Sequence, residues 1–299
     1  MHAYVIGNAV IDETFAVSSL PKAGESIFGS LIAWNVGGKG CNQAIVLARC
    51  GVPATLIAAV GNDGRAALVR ALIEGEGLAS RLIIQPNCTT DMSVILRLAN
   101  GENAIITTTE AARSLSFVDV QPLLAGAFRG DLVVLQGNLN GETTLSIMKY
   151  AKQLGMIVAF NPSPLQAYFA DLWPLVDIAF VNEGEASSLT GLQGEAASAA
   201  LLALGVDLVV ETNGADGALL TARNVSSRVS ASKCEVVDTT GAGDTFMAVA
   251  LASSMLRRAK LDPSAVESAS LAASLTVSRL GTLSAFPTRE ELATILAQT

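Results

Sequence analysis

Two glycine-rich clusters carry residue types from which a phosphoryl-transfer site can be built. The first, Val236-Val237-Asp238-Thr239-Thr240-Gly241-Ala242-Gly243-Asp244-Thr245-Phe246, runs into the apolar stretch 247–256. Two glycines around a small alanine let successive backbone N–H groups converge at the start of a helix. The helix dipole adds about half a positive charge there, so negative charge developing on a transferred phosphoryl group would be stabilised. Asp244 stands where its carboxylate can face the same point and take a proton from a substrate hydroxyl. Taken alone, an aspartate ahead of an apolar run is also an ordinary helix N-cap. The cluster is no dinucleotide fingerprint, because Phe246 occupies the place of the third glycine.

The second cluster is Asn35-Val36-Gly37-Gly38-Lys39-Gly40-Cys41-Asn42-Gln43-Ala44, followed by the apolar stretch 45–50. Glycines on either side of Lys39 allow a ligand to approach the backbone, and Lys39 and Asn42 offer directional contacts to hydroxyl groups. It is not a Walker A loop, since the glycine spacing differs and no Ser or Thr follows Lys39. A plain strand-to-helix turn with a solvated lysine has the same pattern.

Such clusters need elements to hold them. Residues 3–8 form a short apolar run ending in Gly7-Asn8, the pattern of a buried strand that feeds a loop. Similar runs occupy 54–60, 132–135, 157–160, 178–181 and 208–211, and segments such as 143–154 and 183–189 have helical periodicity. Strands alternating with helices predict a mainly parallel sheet covered on both faces. Two segments break the rhythm. Residues 15–35, with Pro21, Gly24 and Gly29, and residues 90–109, with Asn100-Gly101 between two alternating runs, read as antiparallel strands. Pieces of this kind form a lid or lie at the edge of the main sheet. No internal repeat or low-complexity linker marks a domain boundary.

Composition narrows the chemistry. The chain has 299 residues, 51% of them hydrophobic and 15% charged, which implies a sizeable core. A net charge of −8 argues against nucleic-acid binding. Apolar runs such as 246–256 fall short of the roughly 18 to 20 residues that cross a bilayer, and the N-terminus lacks a basic segment before an apolar core. Cytoplasmic residence is the expectation. Cys41, Cys50, Cys88 and Cys234 have no C-x-x-C spacing, which suits reduced thiols. His2 is the only histidine, so acid and base chemistry falls to carboxylates, Lys, Tyr or Cys.

Together, Gly37-Gly-Lys-Gly-x-Asn-Gln43 and Asp238-Thr-Thr-Gly-Ala-Gly-Asp-Thr-Phe246 resemble the two signatures of the ribokinase-like (PfkB) carbohydrate kinases, and the first is most similar to the ribokinase branch. The similarity runs from about residue 3 to 290 and includes residues 21–25, 100–103, Asn161-Pro-Ser-Pro164, Asn182-Glu-Gly-Glu185 and Thr212-Asn-Gly214. The resemblance implies a single kinase domain over 1–299 with a three-layer α/β/α fold, a mainly parallel central sheet and a small antiparallel β lid from segments of about 13–36 and 88–109. It implies an ATP-dependent kinase that phosphorylates a hydroxymethyl group of a sugar. Asp244 is then the base, and Gly241, Ala242 and Gly243 supply the anion-hole amides. Gly38, Lys39 and Asn42 contact the sugar, with Asp12 at the end of the first strand and Asn138. Asn182 and Glu185 position magnesium and phosphate, Glu185 through water, while Thr212 and Gly214 border the ATP phosphates. Asp238 and the carbonyl of Thr240 match part of a monovalent-cation (K+) site. A homodimer through the lids, rich in Ile27, Phe28, Leu31, Ile32 and Trp34, is a further implication.

Several positions depart from the ribokinase pattern. Val10 stands where that branch has an Asn, Asn138 where it has a Glu, and Thr109-Glu-Ala111 replaces Gly-Ala-Asn. These changes remove at least one hydroxyl contact and one negative charge from the sugar pocket, so ribose is one candidate among pentoses, hexoses and polyols. Ala285 takes the place of a Ser near the cation loop. A nucleoside kinase using Phe28, Trp34 or Met92 against a base is the alternative within the fold. A non-catalytic sugar or nucleotide sensor is the alternative outside enzymology, and it would have no need of Asp244.

Overall fold

A computed structural model describes residues 1–99, 102–223 and 225–298. The turn expected at Asn100-Gly101 lies outside the described residues. The chain begins with β1 (Ala3–Ile6), β2 (Val10–Val17), β3 (Gly29–Gly37), α1 (Lys39–Arg49), β4 (Ala54–Val60), α2 (Gly64–Gly75) and β5 (Ala79–Ile84). It continues through β6 (Met92–Arg97), β7 (Asn103–Thr107), α3 (Glu110–Ser114), α4 (Phe117–Val120), β8 (Leu132–Gln136), α5 (Gly141–Gln153), β9 (Ile157–Asn161) and β10 (Ile178–Asn182). The last part holds α6 (Glu183–Thr190), α7 (Gly194–Ala203), β11 (Leu208–Thr212), β12 (Ala218–Ala222), β13 (Val225–Val229), α8 (Ala242–Arg257), α9 (Pro263–Val277) and α10 (Arg289–Leu296).

Among the described residues the larger sheet runs β13-β12-β11-β10-β9-β8-β1-β4-β5. Pairing is parallel from β11 to β5 and antiparallel only at the β11–β12–β13 edge. Apolar side chains on both faces explain why these strands read as continuous hydrophobic runs. In β4, Leu56, Ala58 and Val60 join one core cluster, while Ile57 and Ala59 join the other. The first cluster takes in α1, α2, α8, α9 and α10, with Ile45, Val69, Val249 and Ala269 among its members. The second takes in α5 and α7 and the aromatic group Phe160, Phe169 and Trp173. The result is three layers, α/β/α. Strand order reverses at β1, whose neighbours are β4 and β8. Open α/β sheets bind ligands beyond the strand ends at such a point.

The two segments that broke the rhythm form a separate sheet, β3-β2-β6-β7. Each is an antiparallel pair, as its alternation predicts. The pairs are joined along a parallel seam, β2 with β6, that sets Asp12 opposite Ser93. Asp12 therefore belongs to this small sheet rather than to the end of β1.

Candidate active site

The two motifs meet although some 200 residues separate them. Helices α1 and α8 lie side by side, and Asn42 Nδ2 donates to Asp244 Oδ2 at 2.9 Å, while Gln43 Nε2 donates to Asp244 Oδ1 at 2.9 Å. Gln136, the last residue of β8, donates through Nε2 to Gln43 Oε1 at 2.7 Å. All four side chains are buried. Each oxygen of the carboxylate thus has one amide donor, which fixes its orientation and leaves lone pairs for a substrate hydroxyl. Asn42 Oδ1 and Gln136 Oε1 are buried without a partner. An unpaired buried acceptor costs about 1–3 kcal/mol, so Asn42 Oδ1 is a ready partner for an O–H brought in by a ligand.

The helix start differs from a simple aspartate cap. Gly241 is the N-cap of α8 in the left-handed region, with φ 77°, and Asp244 falls inside the first turn. The Ala242 N–H donates to Thr239 O at 3.3 Å, while the amides of Gly241, Gly243 and Asp244 have no backbone acceptor among the described residues. The open amides are therefore these three, with Asp244 in the place expected of Ala242. A Cβ on Gly241 would come 2.6 Å from Cε1 of the buried Phe286, whereas one on Gly243 meets nothing within 4 Å. Gly241→Ala is expected to lose about 2–4 kcal/mol of stability, from backbone strain and overpacking. Gly243→Ala keeps the parental denaturation midpoint and raises KM for ATP. Denaturant titration beside steady-state kinetics on the two variants checks this pair.

On the β1 side the glycines admit protein as well as ligand. A Cβ on Gly38, which has φ +92°, or on Gly40 would come 2.9 Å from the backbone of Asn8. Asn8 Oδ1 accepts from Gly40 N at 3.3 Å and from Asn138 Nδ2 at 3.0 Å. Asn8, Asn138 and Gln136 so gather at the ends of β1 and β8, where strand order reverses. Asp12 is buried over Gly37, where a Cβ would sit 2.0 Å from its Oδ2. Burial pushes the Asp12 carboxyl up to about 6, a hydrogen bond from the Ser93 hydroxyl works against this, and the charge of Asp244 adds to it.

Two cavities border the loop before α8. One, of about 270 Å³, lies under the small sheet and is lined by Asp12, Asn35, Arg97, Asp238, Thr240 and Gly281. The other, of about 610 Å³, has Thr212, Gly214, Val236, Gly243, Phe246 and Val277 in its walls. Lys39 is not among the lining residues of the first. It shares a narrow cleft with Asn182, Glu185, Thr212 and Gly243. Asn182 and Glu185 also close the first turn of α6 as a capping box, with bonds of 2.8 and 3.0 Å. Asn8, Gln136 and Arg97 escaped the sequence reading, and Gln43 was seen without a role. A polar residue closing an apolar strand, as Gln136 does, was the available signal.

The three-layer α/β fold thus places a buried aspartate in the first turn of a glycine-capped helix, with two cavities bordering the loop that leads into it. The model of the pfkB family carbohydrate kinases matches residues 2–289, and the chain belongs to that family. It is 30% identical to the ribokinase of Haemophilus influenzae over 298 residues, which cover 96% of this chain and 95% of that one. The structure of ribokinase from Giardia lamblia superposes with a TM-score of 0.89 at 27% identity, covering 99% of this chain and 98% of the other. Arabidopsis thaliana ribokinase complexed with ribose and ATP gives 0.85 at 28% identity, with 98% of each chain covered.

Proposed function

We propose that this ATP-dependent sugar kinase transfers the γ-phosphoryl group to the hydroxymethyl group of ribose or a related pentose, hexose or polyol, with Asp244 as the base. One observation carries the reading. The loop before α8 has Asp238 and Thr240 in the smaller cavity and Thr239, Ala242 and Gly243 in the larger, so ligands in the two cavities would meet at this loop. Ribose and ATP bound together in the Arabidopsis relative are ligands of the corresponding sizes.

A carboxylate is too weak a base to deprotonate a sugar hydroxyl in advance, so proton transfer accompanies attack. Positioning and charge stabilisation then supply most of the rate. Asp12, Asn42 and Asn138 would hold the acceptor hydroxyls, and Gly38 would let the acceptor approach. Lys39 and the open amides would meet the phosphoryl group, and Thr212 and Gly214 would border the nucleotide. Magnesium, when bound with ATP, supplies positive charge at the phosphate oxygens. Asn182 and Glu185 fit a role in holding it through water, since no group of three or more acidic, His or Cys side chains that could hold a metal occurs among the described residues. Closing the small sheet as a lid would exclude water as a competing acceptor.

Phe28 and Trp34 are 98% and 59% exposed, on the outer surface rather than packed where a base could be enclosed. This favours a free sugar over a nucleoside. The same outward residues, with Ile105 and Ile106, support pairing of two copies through their small sheets. No helix among the described residues is long and apolar enough to cross a membrane, and Cys41, Cys50, Cys88 and Cys234 are free thiols, which supports the cytoplasm. An ADP-release screen with magnesium and ATP against pentoses, deoxypentoses, hexoses, polyols and nucleosides is the test. Turnover is expected on a free sugar or polyol. Silence on the whole panel while ATP still binds would defeat the catalytic reading in favour of a sensor.

A further inference from the structure

Asp238 has a neighbour that the phosphoryl-transfer scheme does not use. Its Oδ1 accepts from Thr240 N at 3.0 Å and its Oδ2 from Gly281 N at 3.2 Å, so the carboxylate ties the loop before α8 to the turn at Gly281. Two neutral amide donors leave most of the negative charge uncompensated. Arg97, at the end of β6, brings its Nη1 to 3.7 Å from Asp238 Oδ2, with the two side chains only 22% and 13% exposed. It is the cationic side chain among the described residues that line this cavity.

With Arg97 in place, the site fits a monovalent metal ion poorly. An ion bound to Asp238 Oδ2 would stand beside the guanidinium, and like charges at that distance in a partly buried site repel strongly. The guanidinium is always charged and gives up its hydration more easily than an ammonium group, which suits it to a half-buried pairing.

We propose that Arg97 is a tethered counter-cation for Asp238 and that the protein holds the loop before α8 without a monovalent metal ion. Arg97 is a positioning residue, since it acts through Asp238 on the amides of Gly241, Gly243 and Asp244. Because it is carried by the small sheet while Asp238 belongs to the main body, the charge is delivered only when that sheet lies over the acceptor cavity.

The proposal rests on the kinase reading for its kinetic arm alone. The parent, Arg97→Gln and Arg97→Lys are compared in potassium, sodium and tetramethylammonium chloride at equal ionic strength, first by thermal midpoint without substrates and then by kcat and KM. The parent is expected to keep one midpoint and one kcat in all three salts. Arg97→Gln in tetramethylammonium loses about tenfold in kcat with little change in acceptor KM, and potassium restores most of it while raising the midpoint by about 3 °C. Arg97→Lys stays indifferent to the salt. A parent that is stabilised or activated by potassium over the other two salts overturns the proposal. So does an Arg97→Gln protein that responds to potassium no more than the parent. The thermal arm needs no acceptor, so it decides the cation question even where no sugar in the panel turns over.

Discussion

Replacing Asp244 by asparagine is expected to lower kcat by about 10³-fold while ATP binding stays within about threefold of the parent. The expected loss is that of the proposed base, which would accept a proton during attack, with the amides and the nucleotide site left in place. The surroundings add a second effect. Asn42 and Gln43 both present N–H groups to the carboxylate, and an asparagine offers one oxygen and one NH2 in its place. Gln43 is held by the bond from Gln136 to its Oε1, so its reversal would break two hydrogen bonds. Asn42 can turn over more cheaply, because its Oδ1 has no partner. The variant therefore folds, at a cost of about 1–2 kcal/mol, but uses up the acceptor that a sugar hydroxyl would have met. Acceptor KM rises together with the fall in kcat. Steady-state kinetics with calorimetric ATP binding checks both parts, and a variant that keeps a tenth of the parental kcat would remove Asp244 from the role of base.

Asp12→Asn is expected to trade function for stability. The Asp12 carboxyl has a folded pKa of about 6 against an ordinary value of 3.8, chiefly through burial. The folded protein therefore holds this proton more tightly than the unfolded chain does. The stabilisation is full below the unfolded value and is lost as pH rises through 6. At pH 7.5 the ionised, buried group costs about 3 kcal/mol. A neutral asparagine removes that cost, so the melting temperature rises by several degrees at pH 7.5 and the gain shrinks towards pH 4. Activity moves the other way. A carboxylate is the stronger acceptor for sugar hydroxyls, and its loss lowers kcat/KM for the acceptor by about 10²-fold. In the parent, kcat/KM rises with pH through about 6 as Asp12 ionises, and the variant lacks this limb. Melting curves at pH 4 to 8 and acceptor kinetics over the same range test the trade, which fails if the variant is no more stable at pH 7.5.

Strand and helix positions were readable because their cause is local. Residues 54–60 read as a strand from an unbroken apolar run, and β4 occupies the same residues. The start of α8 was harder, since Gly241 rather than Asp244 caps it and a left-handed glycine leaves only a faint mark in sequence. In the second motif the expected loop is already helical from Lys39, so Asn42 and Gln43 project from one turn onto Asp244. That convergence depends on α1 packing against α8, which no window of neighbouring residues encodes. Gln136 and Arg97 were missed for the same reason. Each is an ordinary polar residue closing an apolar strand, and its partner lies far along the chain. Asp12 is legible only through the family resemblance, because Asp12-Glu13 after a short apolar run reads equally well as a turn.

The parallel seam between β2 and β6 bears on how the molecule is made. A nascent chain releases β2 and β3 early, but β6 follows only after α1, β4, α2 and β5 have left the ribosome. Closing so long a loop carries an entropic cost that must be met before the seam gives anything back. Until then the β2–β3 ribbon offers an open, partly apolar edge to other chains. The cavity roofed by that seam is walled on its other side by Asp238, Thr240 and residues 280–284, so it closes only when nearly the whole chain has emerged, and co-translational aggregation of the early ribbon is the hazard that this architecture carries.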